Sequence, residues 1–309
     1  MLISLPIIVQ ATTVTVSVTA NNAYNRLDRA VISGILSQDD SPVSNGLVAI
    51  QIVYPDNDIL TLRTLNTGSN PSNPTVTIQS IQLTDSEGNP ISTTPKNDLA
   101  SFKVLVTNNA QQAQQVLISV NAYDNFNVPI GFSSSQSSIP ARETRLVILS
   151  IPIPSTARTG VARVFAGAYS NSIDFGGIPY CPEKSSTFGI INQDGSVPLD
   201  TPTGSQGHYS LPLNLPINAP IGTYTAYVSS LYNGALAVSS TIFQVNQAGD
   251  FNNDGKVTSA DITSFLIAYS NYWISLPYDS RADMDHNGAM SSADITLFCF
   301  AYSQYWSWH

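Results

Sequence analysis

The chain closes on one segment written twice. Gly249 to Trp273 reads GDFNNDGKVTSADITSFLIAYSNYW and Ala282 to Trp306 reads ADMDHNGAMSSADITLFCFAYSQYW, so Asp283 stands 33 residues after Asp250. An acidic loop and an apolar run, repeated in order, restrict what this tail can fold into more than any composition does. Asp250, Asn252 and Asp254 occupy loop positions 1, 3 and 5, and Gly255 at position 6 permits a sharp bend. Lys256 at position 7 can offer its backbone carbonyl, Thr258 stands at position 9 and Asp261 closes the loop at position 12. The second copy supplies Asp283, Asp285, Asn287, Gly288, Ala289, Ser291 and Asp294 in the same order. Each loop gathers hard oxygen donors and no soft ligand, which predicts two Ca²⁺ ions rather than zinc or copper.

The run after each loop has helical periodicity. Ile262, Phe265, Leu266 and Tyr269 fall at i, i+3, i+4 and i+7, as do Ile295, Phe298, Cys299 and Tyr302, which predicts two helices packed against each other. On this pattern Cys299, the counterpart of Leu266, is a buried small hydrophobe. Tyr272, Trp273, Tyr305 and Trp306 either complete that small core or form an aromatic patch for a partner.

The rest of the chain reads differently. Only 11% of the 309 residues are charged, and Val, Ile, Thr, Ser and Tyr abound in alternating runs, the pattern of half-buried strands. Strand-like segments fill 12–67 (TTVTVSVTA, AVISGIL, GLVAIQIVYP), 75–191 (TVTIQSIQLTD, ASFKVLVTNN, QVLISVNAYD, TRLVILSIPIP, GVARVFAGAYS) and 192–247, where Asn233-Gly234 signals a hairpin. Polar, Pro-broken stretches separate the blocks. The expected fold is mostly β, with sandwich-like strand spacing, followed by a small α-helical tail at 248–309. A formal charge of −9 without a Lys/Arg cluster argues against nucleic acid or an anionic membrane as partner. No apolar run reaches the roughly 18 residues needed to span a bilayer.

Residues 1–11 admit two readings. LISLPIIV (Leu2 to Val9) followed by VQA resembles the core and cleavage site of a secretory signal, or it is an apolar strand able to pair within its own sheet or on a neighbour's open edge. Two cysteines, Cys181 and Cys299, are too few for a disulfide scaffold, and the sequence leaves a bond between them open. His208, His286 and His309, with Glu87, Glu143 and Glu183, form no recognisable nucleophile or acid–base context, so no catalytic residue is assigned.

Three resemblances follow from these segments. AYNRLDRAVISGILSQDDSPVSNGLVAIQIVYPD resembles the first half, and YSLPLNLPINAPIGTYTAYVSSLYNGALAVSSTIFQV the second half, of a macroglobulin-type Ig-like domain found in secreted archaeal and bacterial proteins, with Leu27-Asp28 where that family carries Gly-Asp. The intervening 75–191 resembles the adhesion-type sandwich module CARDB. Together these imply one sandwich inserted in a loop of another; plain tandem order is the other arrangement the sequence allows. The tail, with Asp rather than Glu at position 12 and no helix before either loop, resembles a dockerin, a paired F-hand calcium module. That resemblance implies a cohesin-like partner contacted through loop positions 10 and 11, here Ser259-Ala260 and Ser292-Ala293, which depart from the Ser-Thr pair common in cellulosomal members.

The expected function is therefore that of a non-catalytic extracellular or cell-surface structural or adhesive protein, docking or assembling through a calcium-folded tail. Two alternatives remain. One is a subunit of an extracellular filament joined by strand donation, as a homo-oligomer; the other is a carbohydrate-binding or scaffold component of a polysaccharide-degrading complex.

Overall fold

The structure, a computed structural model, describes residues 13–307 apart from 69–73, 192–202, 206, 217, 253, 255 and 285–288; the side chains of 203–205, 280 and 304–307 are also outside the description. The N-terminal segment 1–11 thus lies outside the described residues. In chain order the strands are β1 (Val14–Val16), β2 (Ala23–Asn25), β3 (Arg29–Gln38), β4 (Ser41–Pro42), β5 (Leu47–Val53), β6 (Ile59–Asn66), β7 (Val76–Thr84), β8 (Thr93–Pro95), β9 (Leu99–Asn108), β10 (Gln114–Tyr123), β11 (Pro129–Ile139), β12 (Thr144–Pro152), β13 (Gly160–Tyr169), β14 (Lys184–Ile191), β15 (Thr203–Ser205), β16 (His208–Asn214), β17 (Gly222–Tyr232) and β18 (Ala235–Asn246). Two helices follow, α1 (Ser259–Trp273) and α2 (Ser292–Ser307). The chain is mostly β, and among the described residues its two α-helices lie in the tail.

The strands form two face-to-face pairs of sheets. In the first unit β1-β3-β16-β15, with β4 on β3, faces β2-β18-β17-β5-β6. Ile32, Leu36, Ile50, Leu211, Tyr224 and Phe243 meet between these layers in one buried cluster. In the second unit β12-β9-β7 faces β11-β10-β13-β14-β8, over a core that includes Phe102, Val104, Ile118, Val120, Val164 and Phe188. β7 to β14 intervene between β6 and β15, so both sheets of the first unit take strands from before and after the second. Each unit carries a short parallel edge strand, β2 on β18 and β8 on β14.

Local chemistry explains the elements. The β17–β18 hairpin turns on Asn233 and Gly234, both at positive φ (49° and 79°), a type I′ geometry that matches the twist of the flanking strands. β9 alternates buried and partly exposed residues in period 2, as a strand with one face on a core should. β5 departs from alternation and is buried at every position. Its outer face is covered by the second unit, where Ala49 and Leu62 cluster with Tyr169 and Ile173, so both faces are dry and the strand reads as an apolar run broken by Gln51, whose Oε1 accepts from Ile173 N at 2.9 Å.

The junction between the units is polar and closely fitted. Arg63 on β6 is fully buried and forms a two-pronged ion pair with Glu183, Nε to Oε2 at 2.9 Å and Nη2 to Oε1 at 2.6 Å. Its guanidinium lies 3.4 Å from the Phe165 ring centre and 5.1 Å from that of Tyr123. Burial works against the charge, but the Glu183 carboxylate outweighs it and holds the guanidinium above its ordinary range. Beside it the Asn121 side chain imitates a neighbouring strand: its Oδ1 accepts from Leu62 N at 2.7 Å and its Nδ2 donates to Leu62 O at 2.6 Å.

Candidate metal centre and docking face

The tail is built around its own duplication. Phe265 on α1 and Phe298 on α2, equivalent in the repeat, stack on each other with ring centres 4.4 Å apart and planes 10° from parallel. Phe251, Ala268, Met284, Met290 and Ala301 complete the core around them. The helices bury Phe265 and Ala268, and Phe298 and Ala301, so the stripe expected from sequence is corrected at Leu266 in the first copy, which is 53% exposed, and at Ile295 and Cys299 in the second, both exposed. Position 266 lies about 100° around the helix from 265, and the Phe pair decides which side turns inward. Cys299 is therefore not a buried hydrophobe. Both cysteines are free thiols, and burial pushes the Cys181 thiol up to about 12.

The first loop is drawn together by its closing residue. Asp261 Oδ1 accepts from the amides of Phe251 (2.8 Å) and Asn252 (3.2 Å), while Oδ2 accepts from the amide (2.8 Å) and hydroxyl (3.1 Å) of Thr258. Thr258 in turn accepts from Ala260 N and, with Asp261, forms a reciprocal cap on α1. The Asp254 amide donates to Asp250 Oδ1 at 3.1 Å and to Asn252 Oδ1 at 3.0 Å, and Lys256 N donates to Asp254 Oδ1 at 2.9 Å. Positions 1, 3 and 5 thus share one small hydrogen-bonded loop.

The second copy repeats the closure. Asp294 Oδ1 accepts from Met284 N at 2.8 Å, Oδ2 accepts from Ser291 N at 2.7 Å, and Ser291 Oγ accepts from Ala293 N at 3.1 Å. Asp285 and Asn287 lie outside the described residues, and Ala289 is exposed beside that gap. Among the described residues no three of His, Cys, Asp and Glu converge as a bound ion would require. The position-12 carboxylates are turned onto amides.

The donor chemistry nonetheless fits a hard divalent cation. Asp250, Asp261, Asp283 and Asp294 are all buried, in a tail that holds seven aspartates (250, 254, 261, 279, 283, 285, 294) against Lys256 and Arg281. Buried carboxylates are costly unless compensated. Arg281 binds Asp279 through its Nη2 at 2.6 Å, donates to Phe251 O at 2.8 Å and lends its charge to Asp250 as well. Oxygen ligands and excess negative charge suit calcium.

Of the residues expected to meet a partner, Ser259, Ala260 and Trp273 fall on one outward face of α1. Ser259, Ala260, Thr263, Leu266, Ile267, Ser270 and Trp273 are exposed, spaced at three and four residues along a single stripe. Tyr272 is half-buried on the tail core, edge-on to Trp273 at 5.5 Å and to Tyr278 at 5.2 Å. Ser292 and Ala293 are exposed at the start of α2; Tyr305 and Trp306 lie on α2, their side chains outside the description.

Sequence reasoning missed a cleft of about 1160 Å³ at the meeting of both β units and the tail. Tyr54, Ile59 and Leu60 line it from the first unit, Phe126, Ile130, Phe132 and Arg158 from the second, and Leu297 and Phe300 from α2. Burial and the neighbouring Asp56 and Asp58 push the Tyr54 phenol up to about 12. Asp124 at its edge is committed to holding a turn, accepting from the amides of Phe126 (2.9 Å), Val128 (3.1 Å) and Arg158 (3.0 Å). Burial nevertheless keeps its carboxyl above the usual range.

No protein-family model matches this chain, and no curated protein matches it. Among solved structures, it is similar to the CARDB domain of a Pyrococcus furiosus protein in complex with di-metal ions, at 17% identity and TM-score 0.25, covering 41% of this chain and 96% of that one. It is also similar to the C-terminal domain of wzt, at 10% identity and TM-score 0.34, covering 42% and 83%. A third likeness is to the Pseudomonas fluorescens alkylpurine DNA glycosylase AlkC bound to DNA containing an abasic site analog, at 9% identity and TM-score 0.28; it covers 39% of this chain and only 31% of the glycosylase. At these TM-scores the likenesses assign this chain neither a family nor a role.

Proposed function

We propose that this chain is a non-catalytic extracellular or cell-surface structural protein that docks through a calcium-folded, dockerin-like tail, carried on an Ig-like sandwich with a CARDB-like sandwich inserted between residues 75 and 191. The observation that carries the reading is the repeated burial of two aspartates per loop, at positions 1 and 12, in a tail with few cations. Two Ca²⁺ ions would bring positive charge to these carboxylates, held by Asp250, Asn252, Asp254, Lys256, Thr258 and Asp261 in one loop and by their equivalents in the other. Because about 60 residues bury little on their own, ion binding would also contribute folding free energy.

The outward stripe of α1 is apolar and hydroxylic without a charge, which favours an apolar protein surface, such as a cohesin-like domain, over an ionic partner. Absence of catalysis is supported by the engagement of the buried carboxylates: Glu183 is held by Arg63, and Asp124 by three amides.

Calorimetric titration of the full chain with Ca²⁺, followed by far-UV circular dichroism, tests this. Two sites are expected in the wild type and one each in Asp250→Ala and Asp283→Ala, with helicity falling when EGTA is added. A wild-type chain that gives no binding heat and no helicity change would remove the calcium reading.

A further inference from the structure

The two ends of the chain leave the first unit at opposite poles. Thr13 N donates to Asp39 Oδ1, and β1 pairs with the C-terminal end of β3 from Val14↔Gln38, beside the β17–β18 turn where Asn233 bonds Gln38. The tail departs after β18 at the other pole, where Val245 pairs with Gly222. The junction cleft lies at this second pole, lined there by Leu27, Tyr54 and Pro216. The described chain therefore enters the first unit at the pole opposite the cleft.

We infer that the cleft is the seat for the apolar N-terminal segment, Leu2 to Val9, of a second copy, so that copies join head to tail. Three observations select this occupant. The first is size: at about 1160 Å³ the cleft exceeds the roughly 300–1,000 Å³ typical of small-molecule sites and is open enough to take an extended peptide. The second is chemistry. Its walls are mainly apolar, with Ile59, Ile130, Phe132, Leu297 and Phe300 among them, and its four charged side chains, Asp58, Lys96, Asp124 and Arg158, balance in sign. Residues 1–12 contain no charged side chain, and six of Leu2 to Val9 are Leu, Ile or Val. The cleft is also bordered by β11, an edge strand of its sheet, and by the Ile59-Leu60 end of β6, short of the Leu62 and Thr64 backbone groups already bonded to Asn121 and Glu183, and an edge offers backbone groups to an added strand.

The third observation is reach. β3 runs 10 residues from the tail pole to the N-terminal pole, about 33 Å at 3.3 Å per residue. A fully extended stretch of twelve residues spans about 40 Å, so returning to its own cleft would consume nearly the whole segment in transit. A second copy meets no such limit. The contact is heterologous, one end on the other, and such contacts propagate into open filaments unless the rotation closes a ring. This inference stands apart from the calcium reading, although α2 forms one wall of the cleft.

Sedimentation velocity of the full chain and of a variant lacking residues 1–11 tests it, together with fluorescence anisotropy of a labelled peptide of residues 1–12 added to the shortened variant. The full chain is expected to form concentration-dependent oligomers and the shortened one to stay monomeric while binding one peptide per chain. Phe300→Asp, an exposed cleft residue, and Thr156→Trp, which fills the cleft from a loop, are each expected to weaken the peptide tenfold or more. Val238→Asp on the exposed face of β18 is expected to leave it unchanged. Equal assembly of the shortened and full chains, no peptide binding, or binding that responds to Val238→Asp but not to the cleft variants would overturn the inference. Calcium calorimetry on the same proteins reports the tail separately, so peptide loss with both calcium sites intact counts against the cleft alone.

Discussion

Leu27 shows how a single side chain can hold a strained backbone in place. It has φ of 73°, a left-handed conformation that costs a branched residue about 1–2 kcal/mol and that glycine adopts freely. The position is the one where the resembling Ig-like family carries Gly. What leucine adds is contact: its side chain packs on the tail core and lines the cleft. Leu27→Gly should therefore leave the thermal midpoint of the β units unchanged or slightly raised while loosening the tail, read as faster limited proteolysis near Ala248 and Gly249; unchanged proteolysis would mean that Leu27 does not anchor it. The thiols are a second residue-scale test. Dithionitrobenzoate should titrate one thiol, Cys299, in the native chain and two in denaturant, because Cys181 is buried with its thiol pushed up to about 12. Neither feature is written in the sequence. Leu27 reads as an ordinary turn residue until the tail packs on it, and the repeat that pairs Cys299 with Leu266 says that the two share a face without saying which.

At the scale of elements, the acidic loops and the helices after them were legible because period and ligand spacing are local properties. The inward face of the helices was not. Ile262, Phe265, Leu266, Ile267 and Ala268 supply apolar groups on most sides of α1, so periodicity alone leaves two candidate stripes. The direct stacking of Phe265 on Phe298 selects one, leaving Leu266 and Ile267 on the outward stripe that begins at Ser259-Ala260. Because that pair joins the two halves of the repeat, Phe265→Ala should cost about 3–5 kcal/mol, more than a module of this size can easily lose. Tail helicity should fall well below that of the wild type, whereas Leu266→Ala should preserve it. Equal helicity in the two variants, read by circular dichroism with the β units as internal reference, would mean that the stacked pair does not organise the tail.

The whole molecule is joined by groups whose roles exist only after the second unit has docked. The alternating blocks marked where strands would form, and the apolar run of β5 marked a buried strand, but Arg63 in ILTLRTLN carries no sign of its destination. A lone Arg in a strand is ordinarily solvated; here it is enclosed by Phe165 and Tyr123 and paired with Glu183, 120 residues away. Such a pair contributes little net stability compared with apolar replacements, yet removing one partner strands a buried charge. Glu183→Gln should therefore destabilise the body by about 3–5 kcal/mol, whereas the joint change Arg63→Met with Glu183→Gln should recover most of that loss. If the pair fixes one unit on the other, denaturation of Glu183→Gln followed by urea should broaden or split, with the first unit reporting through Tyr24 and Tyr224 and the second through Tyr180. A single sharp transition, with the double variant no more stable than Glu183→Gln, would show that the apolar contacts of Ala49, Leu62, Tyr169 and Ile173 hold the units together and that the ion pair only fills the space between them.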